Sequence, residues 1–590
     1  MMVLWLSAAL AGDESWVGLL RSEIEKQRAG LTLPDAPELY HLRYRLQVLR
    51  SATAVASFGS PVARDESVDH TLGVEVRVGS PMFDNTGFGG WEDGMGAISL
   101  PIELDDLAIR RGVWRVTDMA YKQAVEHLAR KEAQWQPPPD HAGDYSLTGA
   151  VVADDGHGEI PPSTAIQDLA VRLSGAFVGG TNVDVAEVHV GAEGGAEWVV
   201  DSEGTAVLRP LQEVSFRAVV SVVSPDGARV SDERLWTGRA LTDLPAEEAM
   251  ISEIVALQAE ATAVGQAIPL SEEYVGPVVF EGDAAVALFR WLLIPQLEGT
   301  PPPVAFDSFF GDLGGSNGPS VRVGRRVLPE GWTARDDMTS FPNHPAWALH
   351  DAEGTPARPV SLVDNGIVRD LLMSRVPRPG LTSNGHARGY VGSVATGRAS
   401  MLTVEGPNAK STHGLYAVAA KAARTYGRDG FLVVRRLEEP AVVAMTDPDR
   451  AAEEKTLPNP LVVVWRDTSG NETPLRDMSF SATERFVLRD LLAAGPRRSA
   501  SFMAPFSGDA SGLGPTAGLA TYLSAPDVVV GELEVVPVAS DPGDGRIVPL
   551  PTPNGTTPQA GSTSANDNPS SESLVIAQST ISSTSQGARP

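Results

Sequence analysis

Residues 274–289 read YVGPVVFEGDAAVALF, and this stretch constrains the fold more than any other. Pro277 to Phe280 is a short apolar run of the kind buried inside a sheet. It passes directly into an alanine-rich helix that starts at about Glu281. A strand handing over to a helix in this way puts Glu281 and Asp283 in the first turn, where the helix dipole favours carboxylates.

Periodicity supplies the rest of the architecture. A chain of 590 residues exceeds one ordinary core, so at least two domains are expected. Residues 14–30 read as a helix, with Trp16, Leu19, Leu20 and Ile24 at helical spacing. Residues 40–80 alternate with period two and read as paired strands joined by a Gly-Ser turn. Leu104 to about Trp135 is helical and is stopped by Pro137-Pro138-Pro139. A second helix, Ser163 to about Phe177, precedes three or more strands between Thr181 and Ser224. Pro245 to about Gln266 is another helix, acidic at its start through Glu247 and Glu248. From residue 270 strands and turns dominate, in SVRVGRRVLP, PVSLVDNGIVRDLLMS, FLVVRRL, NPLVVVWRD and VVVGELEVVPV. The expected fold class is α+β with two domains. An N-terminal α/β sandwich-like domain covers 12–268, and a mostly β C-terminal domain covers 269–551. Residues 552–590 are rich in Ser, Thr, Pro, Gly and Asn and are expected to be disordered. No short-period internal repeat is visible.

Composition excludes several function classes. The net charge of -28 repels phosphate backbones and argues against nucleic-acid binding. The chain has no cysteine, which removes disulfides, thiolate metal sites and a Cys nucleophile. Patterns for a nucleophilic serine (GxSxG) and for nucleotide binding (GxGxxG, Walker A) are missing. Residues 1–11 hold a nine-residue apolar run ending in Ala9-Leu10-Ala11, the pattern of a cleavable signal peptide, although no Lys or Arg precedes it. Two readings stay open: an export signal, which slightly favours a periplasmic or exported protein over a cytoplasmic one, or a first helix packed on the domain. No other run approaches the length of a membrane span.

Several short pieces recur in a characteristic order. Gly324-Arg325-Arg326-Val327-Leu328-Pro329 is followed by Asp336-Asp337, by Asp351-Ala352-Glu353-Gly354-Thr355-Pro356, and by Leu362-Val363-Asp364-Asn365-Gly366-Ile367-Val368. Then come Ser383-Asn384-Gly385-His386-Ala387-Arg388 and Ala525-Pro526-Asp527, leading to Glu532-Leu533-Glu534. With residues 274–289 these pieces resemble the TldD/PmbA (TldE) family, metallopeptidase-related proteins also called modulators of DNA gyrase. In the N-terminal half, Asp201-Ser202-Glu203-Gly204-Thr205 is similar to the family's turn between strands. The active TldD type carries HExxxH after a similar strand, with two His as zinc ligands and the Glu as general base. The resemblance puts Phe280 and Ala285 in the two ligand positions and keeps only Glu281. Neither Phe nor Ala can donate a lone pair to zinc. The resemblance therefore implies a TldE-like, non-catalytic subunit with no metal of its own, zinc being supplied only by a TldD-type partner. It implies a partnership with that subunit or a homodimer, and peptides or unfolded polypeptide as substrate. The alternatives are a peptidase with a rebuilt site and a non-enzymatic exported binding protein.

The candidate site residues have plain readings beside the functional ones. Glu281, the one retained catalytic candidate, is also explained as a first-turn helix carboxylate. His386 and Arg388, in a Gly-rich loop, are the substrate-binding candidates, against a reading of His386 as a solvated loop residue. His344, His350, His386 and His413 could in principle meet as a relocated metal site. Arg322, Arg325 and Arg326 are expected to form a strand-face ion-pair set with Asp336 and Asp337. Asp364-Asn365-Gly366 reads as a type I′ hairpin turn, and Asp351 to Gly354 as a second turn.

Overall fold

The period-two alternation along residues 39–80 folds as a long hairpin of β1 (Leu39–Ser57) and β2 (Ser60–Ser80). Phe58 and Gly59 close it at φ 46° and 75°, the two positive values of a type I′ turn. This computed structural model describes residues 3–31, 36–89, 94–179, 182–301, 303–304, 322–447, 456–481, 485–504 and 518–539. They all belong to one compact unit, Met1–Leu550. The segment 552–590 expected to be disordered lies outside the described residues.

Six further strands complete the first sheet: β3 (Phe83–Asp84), β4 (Met95–Ser99), β5 (Val152–Asp154), β6 (Val183–Asp201), β7 (Ala206–Val223) and β8 (Arg229–Gly238). Their order is β3-β2-β1-β6-β7-β5, with β4 added to β2 and β8 to β7. Among the described residues between 181 and 224 there are thus two long strands rather than three or more. Gly194 and Gly195 sit inside β6 without ending it, because backbone atoms of Glu159 and Val48 approach within 2.6 and 2.0 Å of where a Cβ would stand.

Four helices lie against this sheet: α1 (Val3–Gly30), α2 (Asp106–Gln134), α3 (Ser163–Ser174) and α4 (Glu247–Gly265). Asp105 caps α2 by accepting from the Ala108 N–H at 2.7 Å. Ile109, Val113, Val116, Ala120 and Ala124 repeat at helical spacing on its buried face. α1 and α2 share a core with Leu42, Tyr44 and Leu46 of β1. α3 and α4 cover a second core further along the same sheet.

The second sheet begins with β9 (Ile268–Pro269) and β10 (Tyr274–Phe280). It continues through β11 (Thr333–Asp336), β12 (Val360–Asp364) and β13 (Ile367–Val368); β14 (Ala387–Arg388) and β15 (Thr396–Gly397) pair separately. β16 (Met401–Glu405), β17 (Gly430–Leu437), β18 (Pro460–Asp467), β19 (Glu472–Arg476), β20 (Met478–Phe480), β21 (Leu491–Ala504) and β22 (Leu519–Pro537) complete it. The order is β13-β12-β11-β16-β22-β10-β17-β18-β19-β9, with β20 and β21 on β22. Its helices are α5 (Asp283–Leu292), α6 (Ile294–Leu297), α7 (Thr412–Thr425) and α8 (Pro440–Thr446).

β10 lies between β22, antiparallel, and β17, parallel. Successive side chains therefore enter different cores, Val278 and Phe280 on the α5 side and Val279 on the α7 side. Covering on both faces explains why this strand is continuously apolar. Asn365 (φ 50°) and Gly366 (φ 75°) turn between β12 and β13 as a type I′ turn requires. SVRVGRRVLP corrects an expectation: its described part, 322–329, forms turns, with a single bridge from Arg326 to Ile367. Gly324 at φ 88° leaves the extended region, and Pro329 has no N–H to offer a ladder. No described helix is long and apolar enough to cross a membrane.

Candidate functional site

The handover from β10 to α5 is made by Gly282 at φ 64°, whose N–H donates to Asp527 Oδ1 at 2.9 Å. Phe280 and Val528 are register partners, so the segments around 281 and 527 are neighbours in space. Glu281 is clamped. Its Oε1 accepts from Arg435 Nε at 2.6 Å and its Oε2 from the Tyr416 hydroxyl at 2.7 Å. Burial and the bond to Glu281 push the Tyr416 phenol up to about 12. Arg435 reaches on to Glu472 at 2.9 Å, and Arg498 holds Asp527 at 3.1 Å. Phe280 and Ala285 are fully buried, the Phe280 ring centroid 5.9 Å from that of Phe480. Neither carries a lone pair for a metal. The residues at this position do not fit a zinc ion.

His386 and Arg388 lie apart from Glu281, each engaged inside the protein. His386 is fully buried, with Nε2 3.2 Å from Asp336 Oδ1 and Nδ1 3.2 Å from Asn384 Oδ1. Burial lowers its pKa, but the hydrogen bond and charge of Asp336 outweigh that and raise it. Asp336 is held below the usual carboxylate range, against its burial, by His386 and by Ser400. The two side chains form a buried His–Asp bridge. Arg388 donates to the carbonyls of Ala399 at 2.5 Å and Ala520 at 2.6 Å, and burial lowers it to about 10. Asp336 being spent on His386, and Asp337 on Arg335 at 2.9 Å, the ion-pair set expected with Arg322, Arg325 and Arg326 does not form. His344 Nδ1 accepts from the Ala346 N–H, so its Nε2 carries the proton toward Ser501 and cannot act as that hydroxyl's base. His350 pairs with Asp155 at 2.8 Å. These imidazoles do not converge on one site.

A different constellation does converge. Two turns carry the same pattern, D-x-E-G-T: Asp201 to Thr205 between β6 and β7, and Asp351 to Thr355. In each, the Asp Oδ1 accepts the N–H groups two and four residues on, at 2.9 and 3.0 Å in the first turn and 2.9 and 2.9 Å in the second. Gly204 and Gly354 take φ 100° and 76°, open to glycine and strained for other residues. The turns touch: a Cβ on Gly354 would meet Thr205 Cγ2 at 2.9 Å.

Arg375 ties them together. Its backbone N–H donates to Glu353 Oε2 at 2.6 Å, its Nη1 to Asp201 at 3.3 Å and its Nη2 to Glu203. From β1, Arg43 reaches Glu75 at 2.6 Å, Glu353 at 3.4 Å and the Tyr145 hydroxyl. The Tyr145 ring lies under Arg77 at 3.8 Å and Arg375 at 4.4 Å. Burial pushes Glu353 up to about 7, with Arg43 opposing and Asp351 and Glu75 assisting. Glu203 is pulled down to about 2, against its burial, by His41 and Arg375.

His41, Asp201 and Glu203 place their ligand atoms within 4.8 Å of one another, the one such group among the described residues. A metal fits poorly there, because the Arg375 guanidinium already holds both carboxylates. The cluster is a largely buried ion lock between the two sheets. Sequence reading missed Arg375, Arg43 and Tyr145. The signal that would have pointed to the contact is the repeated D-x-E-G-T pattern.

Residues 272–422 match the family model described as the PmbA/TldA metallopeptidase C-terminal domain. This stretch is a TldD/PmbA-family domain. The TldD/PmbA fold extends over most of the chain. One similar structure, described as a candidate modulator of a DNA gyrase from Thermotoga maritima, covers 84% of this chain and 96% of its own at 13% identity and TM-score 0.53. TldE from Thermococcus kodakarensis covers 84% and 97% at 15% identity and TM-score 0.50. A candidate modulator of DNA gyrase from Bacteroides thetaiotaomicron covers 88% and 98% at 12% identity and TM-score 0.51. At such identities the likeness is one of fold. No curated protein matches by sequence.

Proposed function

We propose that this chain is a TldE-like, zinc-less subunit supporting a metallopeptidase complex that acts on peptides or unfolded polypeptide. A TldD-type partner supplies the zinc site, and this chain contributes walls, substrate contacts and stability. The observation that carries the reading is the state of the HExxxH-equivalent segment. Phe280 and Ala285 are core residues with no donor atom, and Glu281 has both oxygens engaged by Arg435 and Tyr416. A carboxylate held in this way has no metal-bound water to activate. The likeness to TldE in fold supports the same reading.

A peptidase assay on the purified chain, alone and co-purified with a TldD-type subunit, tests it. The expected result is activity in the mixed complex only. Activity of the lone chain would replace the proposal with a peptidase whose site is rebuilt elsewhere. Failure of the two chains to associate would favour a homodimeric binding protein.

A further inference from the structure

We draw no further inference here: the strongest candidate, the side-chain cluster in which Glu193 of β6 stands opposite Glu213 of β7 near Arg388, is a pair of acidic residues beside which no second feature among the described residues points to a ligand.

Discussion

The N-terminus of α5 and the paired D-x-E-G-T turns both gather carboxylates and arginines, but they do so in different surroundings. At α5 the Arg435 side chain is 36% exposed, and its pair with Glu281 sits at a partly wetted rim. At the turns Arg375 and Asp201 are both 0% exposed. Rim pairs of the first kind contribute about 0–1 kcal/mol, whereas removing one member of a buried set costs about 3–5 kcal/mol. Mechanical importance has therefore moved away from the segment where the TldD/PmbA resemblance would place chemistry. It lies instead in the dry contact between the two sheets.

The largest predicted effect tests that contrast directly. Arg375→Met is expected to lower unfolding free energy by about 3–5 kcal/mol in urea titration, because the Asp201 and Glu203 carboxylates lose their shared cation. Arg435→Met should cost about 1 kcal/mol or less. Equal losses would remove the distinction between the regions. Next come the glycines. Gly354→Ala combines φ 76° with a 2.9 Å approach to Thr205 and should cost about 2–3 kcal/mol. Gly324→Ala, at φ 88° in open space, should cost only about 1 kcal/mol.

Acidity sharpens the comparison further. Glu353 is raised in the folded state to about 7, so the native protein holds a proton that the unfolded chain releases earlier. Its contribution is complete below the unfolded carboxylate pKa and is lost as pH rises through about 7. Relative to Glu353→Gln, the parent should lose on the order of 1 kcal/mol or more between pH 5 and pH 8, read from melting curves at each pH. A parallel pH profile for the two proteins would mean that Glu353 is ionised throughout. The smallest effect is expected from Glu281→Gln, which should change stability by less than about 1 kcal/mol. It should also leave the activity of a mixed complex with a TldD-type subunit unchanged.

The legible parts of the molecule are the local ones. The apolar run into Glu281, the helix stopped before Pro137 and the Asn365-Gly366 hairpin are decided by residues a few positions apart. The lock was hidden because its members are distant in sequence. Asp201 and Asp351 lie in different halves, and Arg375 belongs to neither turn. β1 added a second difficulty. Its alternating Arg43 and Arg45 look like a solvated face, but the second sheet's loops cover them, and Arg45 donates to the carbonyls of Gly389 and Tyr390. His386 was deceptive for the same reason. A Gly-rich loop suggests solvent, but Asp336, fifty residues earlier, takes it into the interior.

At the α5 segment Phe280 and Ala285 offer a metal no donor atom, so this segment cannot hold one. Elemental analysis of the lone chain, purified without chelator and then re-equilibrated with zinc, tests it most directly. The expected result is no zinc above trace. About one zinc per chain, retained through dialysis and lost on Glu281→Gln, would contradict it.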